Sequence, residues 1–279
     1  SLPYINGNNM AKAGLEMAML DVFAQQAGQS LQQLLGGKGD RVKAGMSIGV
    51  QTSIEQLLKI VQHHVENGVA RIKLKIRPGQ DVEYVRAVRN VFPGMLQVDG
   101  NNAYTIDHAE RLAQIDPYEL LLIEQPLASD DIIDHAELAR QIKTPICLDE
   151  SIHSLDDARK ALKIGACRII NIKFGRVGGL LEAKAIHDYC HARGIPVWTG
   201  GMFQTEFGNA ANKTLATLPG FTLPGDHSWG QNLAWDLTEE PTVLNPDSTV
   251  SVPQGIGLGI KVDAQALQRA TTASETLRA

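Results

Sequence analysis

Eight short apolar runs, each followed by a stretch of helical periodicity, set the folding options of this chain. They are VKAGMSI (42–48), ARIKLKI (70–76), MLQVD (95–99), LLLIE (120–124), PICLD (145–149), RIINIK (168–173), IPVWT (195–199) and FTLP (221–224). Runs of this length without polar alternation read as parallel strands covered on both faces. Between them, SIEQLLKIVQHHVENG (53–68) spaces Ile54, Leu57, Leu58, Val61 and Val65 by three or four and stops at Gly68. Ser154 and Asp157 open DDARKALKIG in the manner of a capping box, and GLLEAKAIHDYCHARG (179–194) repeats the helical pattern. Strands alternating with such helices make βαβ units and a parallel sheet. Eight units in ~180 residues favour closure into a (β/α)8 TIM-type barrel. An open doubly wound sheet is the alternative, and no GxGxxG turn supports it.

At 279 residues and 43% hydrophobic, the chain has the length and apolar content to fill one such core. Residues 1–40 are expected to form a leading helix, alanine-rich and amphipathic up to Gly28, and a linker. The barrel is expected over 41–247, with an extended segment and tail over 248–279.

Charged residues recur at the ends of consecutive runs. Lys75 to Asp99 is 24 residues, Asp99 to Glu124 is 25, Glu124 to Asp149 is 25 and Asp149 to Lys173 is 24. Each step is one βα unit, so five neighbouring strands present one charge apiece at the barrel's C-terminal mouth, where barrel chemistry gathers. Read singly, Asp149 is a helix cap, Glu124 a loop residue, and Lys73 and Lys75 the ends of an exposed strand. Five at one period point instead to a shared site. Three carboxylates crowded in a dry mouth need a cation, and hard oxygen ligands in a partly open site suit Mg²⁺.

A net charge of −5 gives no basic surface for nucleic acid or anionic membrane. No apolar run approaches the ~20 residues that span a bilayer. The N-terminal SLPYINGNNMAKAG has neither the apolar core nor the basic flank of a secretory signal. Cys147, Cys167 and Cys190 lack metal-ligand spacing, and two lie in apolar runs, so a reducing cytoplasm is the expected setting.

KLK (73–75), VDGNNAY (98–104), IEQPL (123–127), LDES (148–151), NIKFGRVGG (171–179) and TGGM (199–202) together resemble the muconate-lactonizing subgroup of the enolase superfamily, over about residues 10–262. Within it, GGM after the seventh run and LGG (35–37) resemble the o-succinylbenzoate synthases and N-succinylamino acid racemases. Asp226-His227-Ser228 departs from the Asp-x-Asp that dipeptide epimerases carry after the eighth strand. The resemblance implies Asp99, Glu124 and Asp149 as ligands of one Mg²⁺, with Mn²⁺ as a substitute, and Lys75 and Lys173 as the acid/base pair. Lys73 would neighbour that pair, and Asn101 and Glu150 would be polar groups near the metal. Ser47, Gly201 and Met202 would line the substrate pocket; read singly, Ser47 is a turn residue and Met202 core filler. Arg176 would be a charged neighbour of Lys173 that accompanies racemase-capable members; read singly it is a solvated surface arginine.

The reaction so implied is Mg²⁺-dependent removal of a proton α to a carboxylate through an enediolate, the pattern established for enolase-superfamily sites. Dehydration to o-succinylbenzoate, a lyase step of menaquinone synthesis, needs chemistry on one face of the substrate. Racemising an N-succinylamino acid needs a proton delivered to the opposite face, and hence both lysines. The synthase is the expected function, with racemisation as alternative or second activity. A barrel that only binds a partner would be favoured if the chain failed to bind divalent metal. The expected partner is a small carboxylate substrate, with a second copy of the chain also open. Family members carry an N-terminal α+β domain over the mouth, and most or all of it is expected to lie outside this sequence. Val250, Val252, Ile256, Leu258 and Ile260 are then the expected docking surface for it, and the chain by itself is expected to fold with little turnover.

Overall fold

The computed structural model describes residues 5–227 and 237–276. Helices α1 (Asn9–Gln26) and α2 (Leu31–Leu35) precede a short strand β1 (Arg41–Lys43). Then come β2 (Met46–Ile48), α3 (Ile54–Glu66), β3 (Arg71–Lys75), α4 (Val82–Val91), β4 (Met95–Asp99) and α5 (Ala109–Ala113). The series continues with β5 (Ile123–Glu124), α6 (Ile132–Gln141), β6 (Ile146–Leu148), α7 (Leu155–Ile164) and β7 (Ile169–Ile172). It ends with α8 (Phe174–Val177), α9 (Leu180–His191), β8 (Val197–Thr199), α10 (Glu206–Leu215), β9 (Thr249–Ser251) and α11 (Ala264–Ala270).

The helices obey their local signals. Ser53 caps α3 by accepting the Gln56 N–H at 3.2 Å, and the apolar stripe buries Leu57 and Val61 completely. Truncating Leu57 to alanine would cost about 2–5 kcal/mol, the range for a buried leucine. Ser154 accepts the Asp157 N–H at 3.2 Å, and the Asp157 carboxylate accepts the His153 N–H at 3.1 Å in return, so α7 starts where the capping pair sits. α1 differs from the amphipathic expectation. It buries Ala13, Leu20 and Ala24 but exposes Met10, Leu15, Met19, Val22 and Phe23, because its apolar residues run around the whole helix.

Strands β2 to β8 form one curled, all-parallel sheet in sequence order. FTLP, the expected eighth strand, forms no ladder, since Pro224 has no N–H to donate. Isolated parallel bridges instead join Phe221 to Val197 of β8 and Gly225 to Ala44 just ahead of β2. The Asp226 N–H donates to the Thr199 carbonyl at 2.9 Å and the Gly45 N–H to the Gly225 carbonyl at 2.9 Å, so residues 221–226 close the ring by single contacts. The first run also divides. β1 peels away to pair antiparallel with β9, and Gly45 then brings the backbone in under the Arg71 guanidinium, which any Cβ there would strike.

Val42 and Ala44 pack on Val250 and Val252 in a small separate core. The expected docking surface is therefore already used: Val250, Val252 and Leu258 are buried, and only Ile256 of the five is strongly exposed, at 62%. All three cysteines are free and buried, the two in apolar runs and Cys190 alike. Among the described residues no helix is long and apolar enough to cross a membrane.

Strand alternation sorts the interior into layers. Ile72, Leu74, Leu96, Val98, Ile123, Ile146, Leu148, Ile170 and Ile172 join the main core shared with the helices. The alternate positions carry Leu122, Cys147, Ile169 and Trp198 as a second cluster. One step further toward the C-terminal ends, on the same side of each strand, stand Glu124, Asp149, Asn171 and Gly200.

Candidate active site

Register brings the predicted charges side by side. Lys75 of β3 pairs with Asp99 of β4, and Asp99 with Glu124 of β5, while Ser47 of β2 pairs with Lys73. Glu124 pairs with Cys147, so Asp149 lies two residues beyond that rung, and Lys173 is one residue past the Ile172–Thr199 pair. Gly200 makes room for this cluster, since a Cβ there would collide with the Asn171 amide and the Lys173 side chain.

The three carboxylates are almost fully buried, Asp99 at 2% exposure and Glu124 and Asp149 at 0%. Their oxygens meet cationic and amide groups. Lys73 Nζ lies 2.9 Å from Glu124 Oε2, 3.3 Å from Asp99 Oδ2 and 3.2 Å from Asp226 Oδ2. Asn171 Nδ2 donates to Glu124 Oε1 at 2.7 Å, and Lys173 Nζ to Asp149 Oδ2 at 2.7 Å. Arg176 pairs with the other Asp149 oxygen, so it is a half-buried partner of the site and not a solvated surface residue. Lys75, exposed at the rim, donates to Asn101 Oδ1 at 2.6 Å, and Asn101 Nδ2 donates to Glu150 Oε1 at 3.1 Å. Ser47 donates to Asp226 Oδ2 at 3.1 Å. Gly201 packs against the Asp226 backbone, and Met202 follows half-buried in the same loop. Ten of the twelve predicted residues thus fall into two neighbouring sets of polar contacts. One is Asp149 with Lys173 and Arg176. The other is Ser47, Lys73, Asp99 and Glu124 with Lys75, Asn101 and Glu150, which the Asn101 N–H joins by donating to Asp99 Oδ1 at 2.9 Å. Gly201 borders the second set through Asp226.

Burial and the neighbouring Asp99 and Asp149 push the Glu124 carboxyl up to about 8, against the pull of Lys73 and Lys173. Burial opposes ionisation of Asp149 too, but Lys173 and Arg176 outweigh it and hold the carboxyl below its usual value. Burial disfavours the Lys73 and Lys173 ammonium groups, yet the surrounding carboxylates prevail and keep both above the ordinary lysine value. Burial and Asp149 raise Glu150, whose Oε2 is buried without a hydrogen-bond partner among the described residues. Among the described residues no group of three or more His, Cys, Asp or Glu side chains is arranged to hold a metal ion. The carboxylates turn instead to Lys73, Lys173 and Arg176. The donor set nevertheless fits a hard divalent cation, since it is all oxygen. Burial together with the neighbouring Asp99 and Asp149 resists ionisation of Glu124 even against the pull of both lysines, a cost that a bound cation would relieve.

The family described as Enolase C-terminal domain-like matches residues 56–266. The chain belongs to the enolase superfamily. The superfamily's N-terminal domain, described as that of mandelate racemase and muconate lactonizing enzyme, matches residues 3–36, which include α1 and α2. An o-succinylbenzoate synthase of Geobacillus kaustophilus is 50% identical over 96% of this chain and 72% of its own length. An N-succinylamino acid racemase of an Amycolatopsis species is 51% identical over 98% of this chain and 74% of its own. The crystal structure of an enolase-superfamily member from Listeria innocua matches with a TM-score of 0.94 at 41% identity, over 98% of this chain and 74% of that one.

Four residues of this enolase-superfamily site went unassigned in the sequence. Arg71, fully buried, pairs with Asp226 at 2.7 Å, and both it and Lys73 lie over the Trp198 ring, at 5.3 and 5.1 Å. Burial would raise the Asp226 carboxyl, but Lys73 and Arg71 hold it far below the usual range. Asn171 holds Glu124. The alternation Arg71–Lys73–Lys75 and Asn171–Lys173 puts these groups on one strand face, and that period of two was the available signal. Asp226 offered none, because it follows a run that forms no ladder. Of the Asp226-His227-Ser228 stretch, Ser228 lies outside the described residues.

Proposed function

We propose that this chain removes a proton α to a carboxylate and acts as an o-succinylbenzoate synthase-type dehydratase. The row of buried Asp99, Glu124 and Asp149, with Lys75 at one end and Lys173 at the other, carries the reading. The names of the relatives at about 50% identity support it. Asp99, Glu124 and Asp149 would hold the Mg²⁺. When bound, such an ion stabilises negative charge developing on a substrate carboxylate. Lys75, open to the mouth and partnered only by the neutral Asn101 among the described residues, takes the α-proton. Lys73, fixed among three carboxylates, supplies permanent positive charge. Ser47, Gly201 and Met202 border the substrate, and Asn101 and Glu150 orient the rim.

A second reading has its own support. Lys173 stands across the carboxylate row from Lys75, and Arg176 shares Asp149 with it. A proton donor so placed would let the same site racemise N-succinylamino acids, the reaction named for the Amycolatopsis relative.

The test is turnover of the cyclohexadiene carboxylate precursor to o-succinylbenzoate, followed by absorbance, beside racemisation of an N-succinylamino acid, followed by polarimetry. Dehydration dependent on Mg²⁺ supports the synthase reading. Racemisation without dehydration would replace it by the second reading. Neither reaction with Mg²⁺ present would reject both.

A further inference from the structure

Gln125, directly after Glu124, has no part in the chemistry above. Its side chain is fully buried and its φ is +35°, in the left-handed region that residues with a Cβ seldom adopt. In the β5–β6 ladder the Gln125 N–H donates to the Cys147 carbonyl at 2.9 Å. The next rung of a parallel ladder would run from the Asp149 N–H to the Gln125 main-chain carbonyl. The left-handed turn takes that carbonyl to the other side, where it accepts the Asn102 N–H at 2.9 Å. The side chain takes over the vacated rung. Gln125 Oε1 accepts the Asp149 N–H at 3.0 Å and the Ser151 N–H at 3.2 Å. Nε2 donates to Ser151 Oγ at 2.8 Å and to the Leu127 carbonyl at 3.2 Å.

We infer that Gln125 is the positioning residue of the carboxylate set. It ties together the ends of the strands that carry Asp99, Glu124 and Asp149, and so fixes the spacing at which they meet a divalent cation. The inference rests on the site reading above. A carboxamide of this length is needed: asparagine tolerates the turn but is one methylene short, glutamate lacks the N–H, and methionine keeps the length but leaves two buried N–H groups without an acceptor.

The experiment titrates Mn²⁺, a spectroscopic stand-in for Mg²⁺, into the chain and its variants by electron paramagnetic resonance, with thermal melting on the same samples. Asp116→Ala is the control. Asp116 braces the same pair of strands at their opposite ends, accepting the Lys143 N–H at 2.9 Å and the Thr144 N–H at 2.8 Å. Gln125→Met should weaken Mn²⁺ binding by about 10–100-fold, the range for losing a partner of a metal ligand. Asp116→Ala should lower the melting temperature and leave Mn²⁺ affinity unchanged. Unchanged affinity in Gln125→Met, or an equal loss in Asp116→Ala, would overturn the inference. If Gln125→Met does not melt cooperatively, Ser151→Ala decides by removing only the hydroxyl that anchors the carboxamide. A few-fold loss is then expected, and no loss overturns the inference. Absence of Mn²⁺ binding by the unsubstituted chain would overturn the site reading and this inference with it. Binding there with equal affinity in Gln125→Met overturns this inference alone.

Discussion

Lys75 and Lys173 flank one row of carboxylates yet sit in unlike surroundings. Lys75 is exposed at the end of β3, and the contact found for its ammonium is with a neutral amide, Asn101. Lys173 is 11% exposed at the end of β7 and ion-paired to Asp149. Its burial would favour the neutral amine, but Asp149 and Glu124 hold it charged. Two lysines that look equivalent in the repeat are thereby assigned different work. On the proposed reading Lys75 exchanges a proton with substrate, whereas Lys173 is a fixed cation that must leave Asp149 to deliver its proton to the substrate. Dehydration asks only for the first arrangement, whereas racemisation also asks Lys173 to move.

The variant that presses hardest on this contrast is Lys75→Ala. It should lower both dehydration and α-proton exchange by about 10²–10⁴-fold, the share of a general base. An equal loss of dehydration in Lys173→Ala would erase the contrast. Lys173→Ala should abolish racemisation while slowing dehydration less than Lys75→Ala does, through loss of a stabilising cation. Polarimetry of each hand of an N-succinylamino acid reads the first effect, and normal racemisation would overturn the assignment.

Metal comes next in size. At a Mg²⁺ concentration 100 times its dissociation constant, binding to the native state should add ~2.7 kcal/mol of stability. Melting in Mg²⁺ against melting in EDTA reads this, and Glu124→Gln should shrink the difference. Identical curves for the unsubstituted chain would remove the metal from the account.

The smallest effect concerns the scaffold on the Lys75 side. Asp81 caps α4 by accepting the Val82 N–H at 2.7 Å, and it also accepts the Arg111 Nε–H at 2.8 Å and the Tyr104 hydroxyl at 3.2 Å. It so joins the loops after β3 and β4. Burial works against its charge, but these donors outweigh burial and depress the carboxyl below its usual value. A depressed carboxyl gives stability that is complete above the unfolded-state value, ~3.9, and is lost as pH falls through the lower folded value. Asp81→Asn should cost about 1–2 kcal/mol at pH 7. It should also flatten the acid limb of stability below about pH 4. Melting curves from pH 2 to 7 test both, and an unchanged acid limb would deny Asp81 this role.

Much of this was legible because barrel periodicity is a covalent fact: one strand and one helix take about 25 residues, so Lys75, Asp99, Glu124, Asp149 and Lys173 announce themselves at that step. The cap at Ser154 was legible because its partner Asp157 lies three residues on in the sequence. Gln125 was not, because its role comes from a reversed φ that exchanges a main-chain acceptor for a side-chain one. Nor was the pairing of β1 with β9, more than 200 residues apart, which turned an expected docking surface into core. The turning of the carboxylates toward Lys73, Lys173 and Arg176 also escaped the sequence, since periodicity gives a residue's height and face but not its partner.

Turnover of the cyclohexadiene carboxylate precursor to o-succinylbenzoate, followed by absorbance, tests the central claim most directly. The account predicts turnover by the chain with Mg²⁺, none in EDTA, and a loss of about 10²–10⁴-fold with Lys75→Ala. No turnover in Mg²⁺, or turnover undiminished in EDTA or with Lys75→Ala, would contradict it.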